Sequence, residues 1–190
     1  GSKLKYNQDF FQNKRIVYLE GEGYFEVIKN HNIPFYVKTT HINVFVLGTK
    51  FNIRSYPEDK TIETTLVEGK IKVAGNNSNY SLLLRPNQKL IIDKENLKLI
   101  TTDIKKKRRT EEEIKDNLIS ESDKRVQQKI DKGIEIKNDV NVYEDTGWKD
   151  GVLVINQEPL ESLAKKLERK YDIKFIFEDE SLKKLTYTGT

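Results

Sequence analysis

Residues 34–54 read PFYVKTTHINVFVLGTKFNIR, and this stretch decides the fold. Its apolar side chains recur at every second position: Phe35 and Val37 with Thr39 in step, then Ile42, Val44 and Val46. Successive side chains of an extended chain point to opposite faces, so the alternation predicts half-buried strands. Gly48-Thr49 breaks the run where a chain reversal is needed. The same period returns at Ile62, Thr64 and Leu66, and again at Ile71 and Val73.

Turn chemistry surrounds these runs, at Gly21 to Gly23, Asn32 to Pro34, Tyr56-Pro57-Glu58-Asp59, Glu68-Gly69, Gly75-Asn76-Asn77 and Pro86-Asn87. The strands are therefore short and many. No helix-period segment precedes residue 104, so residues 1–103 are expected to form an all-β domain of short stacked or antiparallel strands. Phe25, Phe35, Val46, Phe51 and Leu66 are the apolar positions its core needs, and Gly48, Gly69 and Pro86 its chain reversals.

Residues 104–145 are different, with 11 bases and 11 acids and Tyr143 as the sole aromatic, too little apolar surface for a core. They read as a charged insertion or linker. Thr110 and Glu113 have capping-box spacing, and Ile114, Leu118, Val126 and Ile130 fall on one side of a helix. One or two exposed helices or a flexible insertion are expected, with Ile134–Ile136 and Val140–Tyr143 as edge strands.

Residues 146–190 return to compact patterning. Val152-Leu153-Val154-Ile155 reads as a short buried strand, and Pro159 as the first residue of a helix carrying Leu160, Leu163, Ala164, Leu167 and Tyr171. Ile173, Phe175 and Phe177 then alternate with Lys174 and Ile176, which makes a small βαβ module. The sequence stops inside a further strand at Tyr187–Thr190, so the module is expected to be truncated. The fold class is thus mainly β, an all-β domain followed by a small α+β module.

Composition narrows the chemistry. With 190 residues and 36% hydrophobic side chains the chain suits one or two globular domains. No apolar run exceeds four residues, against roughly 20 for a bilayer span. Gly1-Ser2 reads as a cloning scar and Met is absent, so any signal or anchor segment is expected outside this piece. Zero Cys excludes disulfides, thiolate metal sites and thiol nucleophiles, and leaves the compartment open. The net charge of +4 comes from interspersed acids and bases, and the basic run Lys105–Arg109 is followed by Glu111-Glu112-Glu113, so no nucleic-acid partner is expected.

No reactive constellation assembles. His31 and His41 lack further ligands at metal-binding spacing. Gly21-Glu22-Gly23 leads into a strand rather than a helix N-terminus, so it reads as a turn and not a phosphate loop. Glu20, Glu22 and Glu26 read as exposed carboxylates, and no Ser, Thr or Lys sits in a nucleophile elbow. Catalytic residues, metals and cofactors are all expected to be none.

Residues 16–103 resemble the periplasmic domain of FecR-type anti-sigma factors. The matching words are Val17–Val27 with its Leu19-Glu20-Gly21-Glu22-Gly23-Tyr24-Phe25 centre, Pro34–Thr39, Val46–Ile53, Thr65–Val73 and Leu84–Lys89. Trp148-Lys149-Asp150-Gly151 through Asn156–Leu160 is similar to the family's C-terminal module, itself like the short N-terminal domain of secretins and TonB-dependent receptors. Gly23 stands where the family usually has Ala, and residues 104–145 look like an addition.

The resemblance implies a receiver rather than an enzyme: the periplasmic part of an inner-membrane-anchored protein of a Gram-negative bacterium. Its missing cytoplasmic segment would hold an extracytoplasmic-function sigma factor. Its partner would be the signalling domain of a TonB-dependent outer-membrane transporter. Open sheet edges are templates for an added strand, so partner contact is expected near Ile173–Phe177 and Tyr187–Thr190, through Phe175, Phe177 and Tyr187. Phe175 and Phe177 are equally plausible as core residues. The alternative is a periplasmic glycan- or small-ligand-binding β domain, for which Trp148, Tyr18, Tyr24 and Tyr56 are available.

Overall fold

The structure, a computed structural model, describes residues 1–7, 10, 15–76, 81–95 and 133–190. These divide into two compact units, Ser2–Val140 and Asn141–Thr190.

The first unit is one curled ten-stranded sheet. Its strands are β1 (Lys3–Tyr6), β2 (Arg15–Val27), β3 (Phe35–Lys38), β4 (Ile42–Val46), β5 (Thr49–Ser55), β6 (Thr61–Glu68), β7 (Ile71–Gly75), β8 (Ser81–Leu84), β9 (Lys89–Asp93) and β10 (Ile134–Lys137). They lie in the order β10-β9-β6-β5-β2-β3-β4-β7-β8, with β1 also on β2. The alternating residues do what their period predicts: Val37, Ile42, Val44, Val46, Phe51, Ile53, Ile62, Leu66, Ile71 and Val73 are fully buried. They join Leu84, Leu90 and Ile92 in one core fed from both halves of the sheet. Each such side chain contributes about 1.5–3 kcal/mol relative to exposure.

The expected turn at Gly21–Gly23 is absent. β2 runs straight through it for 13 residues, and the reason is a change of partners. Arg15–Tyr18 pairs in parallel with β3 and Val17–Glu20 antiparallel with β1, whereas Gly21–Val27 pairs antiparallel with β5. At the changeover Gly21 has φ +105°, and a Cβ there would stand 2.6 Å from the Ser2 hydroxyl. Glycine serves here as a bend inside a strand.

The outward side of β5, β6 and β9 is polar and tied by ion pairs, Arg54 to Asp59 at 3.0 Å and Lys89 to Glu63 at 2.8 Å. Lys94 is buried and donates to the carbonyls of Tyr56 and Pro57, clamping the turn after β5.

Ile134–Ile136 forms the expected edge strand, β10, antiparallel to β9. Val140–Tyr143 does not: Asp139 takes a left-handed φ of 51°, and the Asn141 side chain accepts the Tyr143 amide at 3.2 Å. That Asn141 turn leads into a short helix, α1 (Tyr143–Thr146), not a strand. The helices expected within 104–132 lie outside the described residues.

In the second unit α1 runs into a 3-10 turn, Gly147–Asp150, closed by left-handed Gly151. Strand β11 covers Ile155–Pro159, later than the expected Val152–Ile155. The Val152 amide is bound back to the Gly147 carbonyl at 3.0 Å, which keeps the start of that run with the turn. Pro159 is the N-cap, one residue before helix α2 (Leu160–Tyr171). After a 3-10 turn at Glu180–Lys184, β12 (Thr186–Gly189) pairs antiparallel with β11. Ile173–Phe177, expected as the second strand, joins no ladder among the described residues.

Candidate partner-binding site

The second unit is held by a few specific bonds under α2. Leu163 and Ala164 are its buried apolar side chains, whereas Tyr171, on the same stripe, is exposed. Glu158 accepts from the Ser162 hydroxyl at 2.5 Å and from the Lys166 ammonium at 2.7 Å, fixing the first turns of α2 to β11. The Leu160 amide donates to the Leu185 carbonyl at 2.8 Å, and the Gln157 amide to the Thr188 hydroxyl at 3.0 Å. These bonds set the last strand against the helix start.

Beyond α2 the chain turns through Asp172 in the left-handed conformation, φ 56° and ψ 43°. It then runs from Ile173 to Phe177 without turn, bend or ladder. Among the described residues its one captured amide is that of Phe175, which donates to the Glu168 carboxylate at 2.8 Å. A side chain holds the donor that a neighbouring strand's carbonyl holds in a sheet. Ile176 is 89% exposed, Phe175 42% and Tyr187 57%. Phe177 is half-buried, with the Lys183 ammonium 5.7 Å from its ring centre. Asp179 caps the following 3-10 turn through the Ser181 amide at 2.8 Å, and that bond holds its carboxyl below the ordinary value.

Phe175 and Tyr187 are thus exposed and Phe177 half-buried in one small unit, and among the described residues their rings make no contact with one another. Sequence reasoning missed two residues here. Alternation places Ile176 on the face opposite Phe175 and gives no sign of which face is covered. Glu168 acts through the turn at Asp172, for which a lone Asp after a helix is a weak signal.

In the first unit the described carboxylates of β2 lie against local partners. Glu20 binds Lys3 at 2.9 Å, Glu22 accepts from the Asn52 side chain at 2.8 Å, and Glu26 faces Lys50 across β2 and β5. Among the described residues no three His, Asp or Glu side chains converge on a metal-sized site. No described helix is long and apolar enough to cross a membrane.

Comparison with known proteins agrees with this architecture. The family model described as FecR protein matches residues 1–72, and that described as FecR, C-terminal matches residues 152–190. No curated protein matches the chain. Two crystal structures of a candidate anti-sigma factor from Parabacteroides distasonis ATCC 8503 are similar over all of this chain and 71% of theirs. One has 24% identity and a TM-score of 0.70, the other 25% and 0.66. The first likeness speaks for the fold, a curled sheet followed by a small helix-and-strand unit; the family models speak for descent at both ends. An anti-sigma factor is a regulator that works through a protein partner. With FecR models at both ends and this fold between them, the chain belongs to the FecR family of anti-sigma factors.

Proposed function

We propose that this chain is the periplasmic, signal-receiving part of a membrane-anchored anti-sigma factor. In this reading it binds the signalling domain of a TonB-dependent outer-membrane transporter. That contact governs release of an extracytoplasmic-function sigma factor held by a cytoplasmic segment. Residues 1–103 are the FecR-like β domain, 104–145 a charged insertion whose Ile134–Lys137 returns to that domain's sheet as β10, and 146–190 a receiver module. No cofactor or catalytic step is involved.

The observation that carries this reading is the run Ile173–Phe177, mostly apolar, largely exposed and without a strand neighbour among the described residues, in the same unit as exposed Tyr187. Such an edge is suited to strand addition, in which main-chain bonds supply affinity and alternate side chains supply specificity. The test is calorimetric titration of the chain with the signalling domain of the adjacently encoded transporter, with a neighbouring system's domain as control. Saturable binding to the cognate domain alone is expected, weakened at least about tenfold by Phe175→Lys at unchanged circular dichroism. Equal binding by the Phe175→Lys chain would remove this edge as the contact, and no binding to the cognate domain would overturn the receiver reading.

A further inference from the structure

A second surface, on the first unit, has a chemistry of its own. Lys5 stands opposite Tyr18 in the β1–β2 ladder, and Tyr18 opposite Lys38 in the β2–β3 ladder. A lysine, a tyrosine and a lysine thus lie side by side on one face. Neighbouring strands are about 4.8 Å apart, so the two lysine stems rise roughly 10 Å apart with the phenol between them. With Lys3, Glu20 and Thr40 they line an open groove of about 320 Å³. That is near the lower end of the about 300–1,000 Å³ common for small-molecule sites.

The charges in this groove are not balanced. Lys3 is committed to Glu20 at 2.9 Å, but Lys5 and Lys38 have no ion-pair partner among the described residues. Tyr18 is 43% exposed between them. One wall is fixed in place: the Asn76 side-chain amide donates to the Thr39 and Thr40 carbonyls, each at 2.9 Å. The groove therefore offers two cations without an ion-pair partner among the described residues, Lys5, within the field of Glu20, and Lys38, one on either side of an exposed aromatic ring, with a hydroxyl and a carboxylate at its margin.

A small inorganic anion would use the lysines and leave Tyr18 idle. A neutral sugar would use the ring and leave two cations unmatched. A sugar ring bearing an acid group meets both: its apolar C–H face packs on the phenol, and its sulfate or carboxylate lies between the ammonium groups. We propose that the groove formed by Lys5, Tyr18 and Lys38 binds an acidic saccharide. The inference stands apart from the receiver reading, since it uses neither the second unit nor a protein partner.

The test is an NMR titration of the ¹⁵N-labelled chain with a chondroitin 6-sulfate disaccharide. Lactose, inorganic sulfate and phosphatidylglycerol vesicles are run in parallel. Saturable shifts at Tyr18, Lys38 and Thr40 are expected with the sulfated disaccharide alone. Lys38→Glu should weaken binding by about tenfold or more, and Tyr18→Ala by severalfold, with shifts elsewhere unchanged. Should Lys38→Glu fail to fold, Lys5→Gln at the exposed edge replaces it and should still weaken binding. The proposal is overturned if the disaccharide causes no shifts at these residues, or if lactose or sulfate binds as well. Vesicle binding without disaccharide binding, or unchanged affinity in both lysine variants, overturns it equally.

Discussion

Gly69 has φ +94°, and a Cβ there would lie 2.6 Å from the Gly48 carbonyl oxygen; Gly151 has φ +83° with open space around it. Both positions ask a side chain to enter the left-handed region, but only the first adds a collision with backbone. Gly69→Ala should therefore lower stability by about 1–3 kcal/mol, and Gly151→Ala by about 1 kcal/mol, in urea denaturation. Charge at this scale makes a second prediction. Burial alone would raise the Glu63 carboxyl, but the Lys89 ammonium at 2.8 Å, with the Arg54 guanidinium and the Thr61 hydroxyl, holds it below its ordinary value. A depressed folded value means stability that is present above the unfolded carboxylate range and lost as pH falls through the lower, folded one. Melting temperature should thus drop more steeply below about pH 4.5 in the native chain than in Glu63→Gln. Parallel pH profiles would remove this role from the ion pair.

Among the elements, the β9–β10 pair shows how the chain accommodates its charged stretch. The two strands are antiparallel neighbours, and the Asp93 amide donates to the Gly133 carbonyl at 2.7 Å. Chain leaving Glu95 therefore returns beside its point of departure, and a short turn can replace residues 96–132 while Lys94 keeps its hold on the turn after β5. Closing the shorter loop should gain about 2 kcal/mol or less. The shortened chain is expected to keep its strand signal in circular dichroism, and loss of cooperative melting would refute it. The same scale explains what the sequence made legible. Gly48, Gly69 and Pro86-Asn87 were readable as reversals because turn geometry is decided by residues within the turn. The passage of β2 through Gly21 was not, because it depends on which strands lie to either side. Ile173–Phe177 has strand patterning, yet a strand exists only with a neighbour, and no local pattern supplies one. For the same reason Phe175 and Tyr187 could be named as contact residues while core and contact remained open; their exposure is a property of packing, not of period.

For the whole molecule, burial is unevenly divided. The first unit owns the continuous core, whereas the second buries only Leu163 and Ala164 among its apolar side chains. Domains near 50 residues with so little core are marginal by themselves. A fragment spanning residues 2–140 should melt cooperatively near the temperature of the full chain's main transition, and a fragment spanning 141–190 should show weak, broad melting. A sharp transition in the smaller fragment would contradict this division. Within the larger unit β2 has a further consequence, through the time course of solvent entry. One continuous backbone pairs with β1 and β3 at its start and with β5 at its end, so neither half of the sheet can open without tearing the strand that both share. Those amide protons of β2 that are bonded within its ladders should therefore exchange later than those of the edge strands β8 and β10, which open by local fraying.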